Sequence, residues 1–198
     1  MNRRKNRMAS RLAGLLFAGV LLVGGGGLCW YVLLCAPYRA EADCRGLGID
    51  AETMRQQEES GRYEALGVIT IAGWRIEDHQ RVTSVSTGRK AAPTVMAVYG
   101  SMELVIPSSV LCGRYGLDVD RDFCVLSEGL ARRLFGSTEV AGECVRTEEG
   151  IYIVSGVVRR EEEFLMIPAK EGPVEALAVK ARGWMGAWEA LRRVTEEA

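Results

Sequence analysis

The stretch LSEGLARRLFG, residues 126–136, decides how the surrounding chain folds. Ser127 is a favoured helix N-cap, and Gly136 is a favoured residue just after the last helical turn. Between them, apolar side chains recur four residues apart and share one face, Leu130 with Leu134 and Ala131 with Phe135. A helix this short is marginal in water by itself. The stretch therefore predicts a small helix that is docked on another part of the fold.

The segments on either side supply the surface on which this helix docks. Residues 123–127 are predicted to be a short strand, and residues 143–159 are predicted to be a hairpin that turns at residues 148–150. In this strand–helix–strand–strand unit, the apolar face of the helix can only cover the sheet. Arg132 and Arg133 then fall on the polar side of the helix, where solvation is their expected role.

The rest of the pattern predicts an α+β domain of about 150 residues, with a mixed sheet and helices packed on it. Residues 50–60 are typical of a helix that begins at Asp50, and residues 101–121 are expected to be mostly loop with one short helical turn. Further strands are predicted at residues 64–73, 80–87, 92–100 and 173–181. The C-terminal residues predict an amphipathic helix with a large aromatic face, formed by Trp184, Trp188 and Leu191.

The N-terminal segment predicts a membrane anchor. Residues 12–38 contain no charged residue, and the 23 residues from 13 to 35 are long enough to cross a bilayer as a helix. Residues 1–11 form a basic tail with five basic and no acidic side chains, which the positive-inside rule places in the cytoplasm. Residues 39–198 then form an extracytoplasmic domain of a single-pass protein of the cell membrane. A cleaved signal peptide is the alternative, because residues 40–42 have the small-x-small pattern, but the apolar run is longer than such a peptide requires.

The charge distribution argues against a protein that binds nucleic acid. The composition is that of a folded domain, with 48% hydrophobic and 26% charged residues. Beyond residue 11, 20 basic side chains stand against 26 acidic ones, so the predicted outer domain is net negative. Nucleic-acid-binding domains present a basic face. No nucleic-acid partner is expected.

The sequence offers no convincing catalytic, cofactor or metal site. The single histidine, His79, lies between two predicted strands, and no serine stands in a nucleophile-elbow motif. Asp118, Asp120 and Asp122 alternate like the start of a calcium loop, but the glycine and the glutamate that complete such a loop are missing. Residues 161–163 are consecutive glutamates, whose side chains do not converge on one point. We expect a protein that is not an enzyme and that needs no cofactor or metal.

Four cysteines fall in the predicted outer domain, and they are candidate disulfide cysteines: Cys44, Cys112, Cys124 and Cys144. An even number of cysteines in an exported domain permits two disulfides, and three pairings are open. Buried free thiols are the alternative, and the sequence does not choose between the two. The spacings that are typical of zinc sites are absent.

Residues 120–158, DRDFCVLSEGLARRLFGSTEVAGECVRTEEGIYIVSGVV, resemble the extracytoplasmic core domain of MacB/FtsX-type ABC transporter permeases. The family pattern is a strand ending in LS, a helix of the form LAxxLFG, a VGxxV-type step (here AGECV) and a strand ending in GVV. The resemblance covers most of the chain, and its specific part is about 40 residues long. The motif residues are Leu126, Ser127, Leu130, Ala131, Leu134, Phe135, Gly136, Gly142, Gly156 and Val157.

These motif residues make the fold, and no catalytic role follows from them. Gly136 is expected to end the helix, Gly142 to let the chain turn into the hairpin, and Gly156 to allow a close approach between helix and sheet. In the family, such domains transmit ATP-driven motion mechanically and perform no chemistry outside the membrane.

The resemblance implies a membrane-anchored core domain that serves as an accessory or partial subunit of a transport complex and binds partners or transmits motion. Its expected partners are the membrane, ABC permease and ATPase subunits, or other envelope proteins. Family permeases return to the membrane after this domain, and the sequence up to residue 198 has no such further span. We therefore expect a stand-alone anchored version of the domain or one piece of a split permease. The alternative function is an envelope interaction or sensing module unrelated to transport.

Overall fold

The structure is a computed structural model that describes residues 25–27, 30–31, 36–77, 80–116 and 122–196. Within these ranges eleven strands form one sheet, and helices pack on both of its faces. The strands are β1 Pro37–Asp43, β2 Val68–Glu77, β3 Val82–Ser84, β4 Lys90–Ala91, β5 Thr94–Gly100, β6 Val110–Gly113, β7 Phe123–Ser127, β8 Cys144–Arg146, β9 Ile151–Val158, β10 Phe164–Pro168 and β11 Ala176–Arg182. The helices are α1 Ala51–Glu59, α2 Arg62–Ala65, α3 Met102–Val105, α4 Glu128–Phe135 and α5 Trp184–Glu196.

The sheet combines parallel and antiparallel pairs, as the sequence predicts. From one edge to the other the strand order is β1-β11-β2-β5-β10-β7-β9-β8-β3-β4. β10 runs parallel to β5 and β7 runs parallel to β9, whereas the other pairs are antiparallel. β6 pairs with the half of β9 that β8 leaves open. The α+β fold class, with helices packed on a mixed sheet, is confirmed.

Buried apolar side chains form three clusters on the two faces of the sheet. On one face, the α5 cluster packs α1 and α5 on β1 and β11, and the α4 cluster packs α4 on β7, β9 and β10. On the opposite face, the α3 cluster lies between α3 and the middle of the sheet. Members that represent the three clusters are Met54, Leu177 and Leu191 (α5 cluster), Leu126, Leu134 and Val157 (α4 cluster), and Trp74, Met96 and Met166 (α3 cluster).

The helix that opened the sequence analysis forms as predicted. Ser127 is its N-cap, and Gly136 follows its last turn in the left-handed region at φ 80°. Leu130, Ala131 and Leu134 are fully buried. The helix rests on the sheet through this apolar face, with the preceding strand and the following hairpin beneath it.

Four strands lie where the sequence pattern does not predict them, and two of these are the short β4 at Lys90–Ala91 and the central β10 at Phe164–Pro168. β1 begins at Pro37, so the last two residues of the predicted membrane span, 37–38, lie in the sheet. β6 lies within residues 101–121, which were expected to be mostly loop. β1 pairs with β11, β6 with β9, and β10 with β5 and β7, all far along the chain, and local patterning carries no information about such pairs.

Two predicted elements differ in detail. The predicted strand at residues 64–73 begins only at Val68, because α2 occupies residues 62–65, and it extends to Glu77. The predicted aromatic face of the C-terminal helix is not its buried face, because Trp184 and Trp188 remain 45% and 44% exposed. α5 instead buries a narrower stripe in which alanines allow close contact with β1 and β11, leaving the indole rings at its border: Ala187, Ala190, Leu191 and Val194.

None of the helices within the described ranges combines the length and the apolar character that crossing a bilayer requires. The predicted transmembrane helix at residues 12–38 falls chiefly on residues outside those ranges. The anchor therefore stays a prediction.

Candidate functional site

The serine and the apolar residues of the motif lie around the junction of β7, α4 and β10. Ser127 is fully buried, and its hydroxyl oxygen accepts the backbone N–H of Leu130 at 3.2 Å and that of Phe164 at 3.1 Å. The first bond caps α4, and the second ties the start of β10 to the same point. The apolar motif residues pack in the α4 cluster, where all but the partly buried Phe135 are fully buried: Leu126, Leu130, Ala131, Leu134 and Val157.

The motif glycines at positions 142 and 156 allow a tight turn and a close contact between backbone segments, respectively. Gly142 has a φ of 91° and its N–H donates to the Val154 carbonyl oxygen at 2.8 Å, which fits the predicted turn into the hairpin. Gly156 does allow a close approach, but a different one from that expected. A Cβ at Gly156 would lie 2.3 Å from the carbonyl oxygen of Arg114, so the neighbour is the backbone that follows β6 and not a helix. The prediction failed here because β6 was not foreseen.

A contact that the sequence analysis missed joins α4 to the loop of residues 159–163, which precedes β10. The Gly129 N–H donates to the Arg160 carbonyl oxygen at 3.1 Å, and a Cβ at Gly129 would lie 2.0 Å from the carbonyl oxygen of Glu161. Arg133 donates from Nη1 to both carboxylate oxygens of Glu163, at 2.8 and 3.0 Å. A glycine in the first turn of an otherwise good helix was the available signal.

The arginine pair is exposed, and each member has an acidic partner. Arg132 pairs with Glu128 one turn earlier at 2.8 Å, and Arg133 pairs with Glu163 across to the loop before β10. Their side chains are 63% and 56% exposed, so these pairs contribute little to stability. The predicted solvated role holds, with the addition that Arg133 bridges two elements.

The candidate chemical residues do not assemble into a centre in the described part of the chain. His79, Asp118 and Asp120 lie outside the described residues. Asp122 is exposed, and its carbonyl oxygen accepts the Ile153 N–H at 2.7 Å. Among the described residues, no group of three or more His, Cys, Asp or Glu side chains is placed to hold a metal ion.

The four cysteines are free thiols, and the strand order explains why. Cys124 on β7 and Cys144 on β8 flank β9 on opposite sides, so two strand spacings of about 4.8 Å each separate them. Cys112 pairs with Val157, four residues along β9 from the partner of Cys144. Cys44 lies in the α5 cluster. A disulfide needs Cα atoms within about 7 Å, so this arrangement favours the free-thiol alternative.

A mostly buried arginine lies between the α5 and α4 clusters. Arg75 on β2 donates from Nε to Glu77 Oε1 at 2.7 Å and from Nη1 to the Glu171 carbonyl oxygen at 2.6 Å. Its Nη2 lies 3.9 Å from Glu149 Oε1 in the turn between β8 and β9. One guanidinium therefore ties β2 to the hairpin turn and to the loop before β11, across the gap between the two clusters.

A cleft of about 580 Å³ opens at the carboxyl ends of β5 and β10. At its wall the Tyr99 hydroxyl donates to Glu58 of α1. The Lys170 ammonium lies 5.8 Å from the centroid of the Tyr152 ring. Burial, followed by the charge of Glu149, raises the pKa of Tyr152 to about 12. The lining of the cleft thus carries both acidic and basic side chains, among them Glu58 and Lys170.

The chain enters the sheet at one pole of the domain, beside the start of α5. The Gly183 N–H donates to the Ala36 carbonyl oxygen at 2.7 Å, and Pro37 pairs with Arg182. We call this end the Ala36 pole. Several large apolar side chains are exposed on α5 and β1 near it: Tyr38, Trp184, Met185 and Trp188.

Comparison with known proteins gives structural matches only. No protein-family model matches the chain, and no curated protein matches it. The extracellular domain of the noncanonic ABC-type transporter YknZ from Gram-positive bacteria matches with a TM-score of 0.56 and 16% identity, over 72% of this chain and 82% of that one. The periplasmic region of MacB from Actinobacillus actinomycetemcomitans matches with a TM-score of 0.58 and 14% identity, over 80% of this chain and 82% of that one.

Both neighbours are extracellular or periplasmic domains of transporters, and both are matched over most of their length. The packing of α4 on β7 and β10 and the mixed sheet therefore agree with the family resemblance of residues 120–158. At these identities the likeness is one of fold, and the chain has the fold of the extracytoplasmic domains of MacB-like ABC transporters.

Proposed function

We propose that the protein is a membrane-anchored extracytoplasmic domain that serves as an accessory or partial subunit of an ABC-type transport complex. In this role it binds partner proteins or transmits motion, and it catalyses no reaction itself. The observation that carries the proposal is the fold it shares with domains of two ABC-type transporters, over 72% and 80% of this chain. The proposed partners are ABC permease and ATPase subunits or other envelope proteins, because the structural neighbours are domains of ABC-type transporters.

The architecture supports a mechanical role. A single sheet runs from β1, next to the proposed anchor, to β4 at the far edge, and helices pack on both faces. Arg75 and the Ser127 junction cross-link elements that are far apart in sequence. A well-packed sheet of this kind moves as one body when force is applied at one end.

Recovery of partners from native membranes tests the transport role. The full chain, tagged at its C-terminus, is extracted in mild detergent after cross-linking, and a control carries residues 1–36 alone. We expect a permease and an ATPase subunit to be recovered with the full chain and not with the control. Recovery of neither subunit would contradict the transport role and would favour the envelope interaction or sensing module.

A thiol-labelling experiment tests the location separately. Cys112 and Cys144 are partly exposed, so they report on the compartment that the domain occupies. A maleimide that cannot cross membranes should label both residues in cells whose outer permeability barrier is opened and whose cell membrane is intact. Labelling that requires lysis of the cell membrane would place the domain on the cytoplasmic side and would overturn this part of the proposal.

A further inference from the structure

The first five residues of α5 carry an exposed apolar patch that the fold does not use. Trp184, Met185 and Trp188 are 45%, 62% and 44% exposed. Trp184 and Trp188 are four residues apart, so they lie on the same flank of the helix. Together with Met185 they form the patch that we call the indole patch. Large apolar side chains so close together on a surface are typical of an interaction site.

The indole patch occupies one end of the helix only. The charged residues lie in the following turns and neutralise one another, since Arg192 pairs with Glu189 at 2.9 Å and with Glu196 at 3.0 Å, and Arg193 pairs with Glu189 at 2.9 Å. A groove of about 480 Å³ runs beside the patch between α5 and Ala42 of β1. The helix therefore has an apolar N-terminal end and a self-paired charged C-terminal end.

The apolar end of α5 coincides with the Ala36 pole. Gly183, immediately before Trp184, donates its N–H to the Ala36 carbonyl oxygen at 2.7 Å. The uncharged segment that begins at residue 12 leads directly to this point. Tyr38 is exposed at the same end of the sheet, where it pairs with Ala181. The exposed aromatic side chains thus lie where the chain leaves the segment that we propose as its membrane anchor.

We propose that the indole patch docks in the interfacial region of the lipid bilayer that holds the anchor, and so fixes the orientation of the domain on the membrane. Tryptophan favours the headgroup level, because its ring is apolar and its N–H is polar. The tether at Ala36 keeps the patch close to the bilayer, so weak partitioning is sufficient to hold it there. The inference rests on the proposed anchoring. A lipid surface fits better than a charged protein groove, because the neighbouring charges are already paired within α5.

The chain has four tryptophans, and two of them provide internal controls for a fluorescence-quenching experiment. Four single-tryptophan variants of the full chain, with the other three changed to Phe, are reconstituted in phosphatidylcholine vesicles whose acyl chains are brominated near the headgroup end. Trp30 reports the anchor, and Trp74, which is 8% exposed in the core, reports the unquenched level. We expect Trp184 and Trp188 to lose fluorescence to an extent comparable with Trp30 and several-fold more than Trp74.

The outcomes separate this inference from the function on which it rests. If Trp30 is quenched but Trp184 and Trp188 are quenched no more than Trp74, the docking is overturned and the anchor is retained. Absence of quenching at Trp30 overturns the anchor, and with it the docking. If Trp188→Cys chains instead cross-link to each other while Trp184 stays unquenched, a second copy occupies the patch and the proposal is wrong.

A charge-insertion pair tests the same patch without disturbing the core. Met185→Glu places a carboxylate in the most exposed position of the indole patch, and Ile151→Glu places one at another exposed apolar position, in strand β9, where the side chain is 50% exposed. We expect Met185→Glu to abolish the quenching of Trp184 and Trp188, and Ile151→Glu to leave it unchanged. Equal quenching in both variants would overturn the proposal.

Discussion

The side-chain hydroxyl of Ser127 is hydrogen-bonded to two different elements. Its oxygen accepts backbone N–H groups from α4 and from β10, and the residue is fully buried. Ser127→Ala removes both bonds and leaves two donors without a partner, so we expect a loss of about 2–3 kcal/mol in the free energy of unfolding. Ser101→Ala is the matched control, because Ser101 caps α3 with one bond, to Leu104, and should lose only about 1 kcal/mol. Urea unfolding of the full chain in detergent, followed by circular dichroism, measures both. Equal losses would contradict the double role.

Two helical glycines should respond to alanine in opposite directions. A Cβ at Gly129 would lie 2.0 Å from the Glu161 carbonyl oxygen, whereas a Cβ at Gly186 in α5 would meet nothing within 4 Å. We expect Gly129→Ala to destabilise the fold by about 1–3 kcal/mol, because the loop before β10 must move. Gly186→Ala should stabilise it by about 0.5–1 kcal/mol, since alanine is the better helix former. Shifts of the same sign in urea midpoints would show that the loop does not press on α4.

The thiols should label in the order of their burial. Cys124 is fully buried, and this burial raises the pKa of its thiol, so its thiolate is scarce at neutral pH. We expect N-ethylmaleimide to modify Cys112 and Cys144 first, and Cys44 and Cys124 only on unfolding. After unfolding without reductant, all four should carry the label in peptide mass spectrometry. An unlabelled pair at that stage would reveal a disulfide and would contradict the strand geometry.

At the scale of elements, the start of α1 should be sensitive to acid. The Asp50 carboxylate accepts the Thr53 backbone N–H at 2.6 Å, and this bond holds the pKa of Asp50 below its usual value. A lowered folded-state pKa means that the carboxylate stabilises the fold above the ordinary pKa of about 4. The contribution is lost as the pH falls through the lowered folded-state pKa.

Asp50→Asn separates this charge from the cap itself, because asparagine caps helices equally well. At neutral pH we expect the variant to be less stable by a few tenths to about 1 kcal/mol, the usual range for a carboxylate at a helix N-terminus. Urea unfolding of both proteins between neutral pH and about pH 3 should show the difference shrinking as the pH falls below the ordinary pKa of about 4. A difference that does not depend on pH would contradict the electrostatic origin.

The elements that the sequence predicted well are those whose information is local. α4 carries its own cap, apolar stripe and terminal glycine, and the β8–β9 hairpin follows it within a few residues, so short-range rules are sufficient. β1, β6 and β10 were not predicted, because each pairs with strands that lie far away in the sequence. The misassignment of Gly156 follows from the same cause, since its close neighbour is the chain after β6. The Arg75 ties and the indole patch depend on the register of the whole sheet, which no local pattern specifies.

At the scale of the whole molecule, the clusters should unfold together. β5 contributes Ala97 to the α4 cluster and Tyr99 to the α5 cluster, so neither can lose its packing while the other keeps β5 in place. Leu177→Ala and Leu134→Ala each remove a fully buried side chain from a different cluster, and each should cost about 2–5 kcal/mol. We expect both to shift one transition, with tryptophan fluorescence and far-UV circular dichroism giving the same midpoint. A second transition in either variant would show that the sheet folds in independent halves.

The pairing of β1 with β11 sets how the domain responds to force. Seven residue pairs join the two strands, from Pro37 with Arg182 to Asp43 with Ala176. The hydrogen bonds of such a ladder lie perpendicular to the strands. A longitudinal pull on residue 36 therefore loads all the rungs in shear, whereas a sideways pull peels them one after another from Pro37. The joint between the N-terminal segment and the domain therefore resists force along the strand axis and yields more readily to force across it.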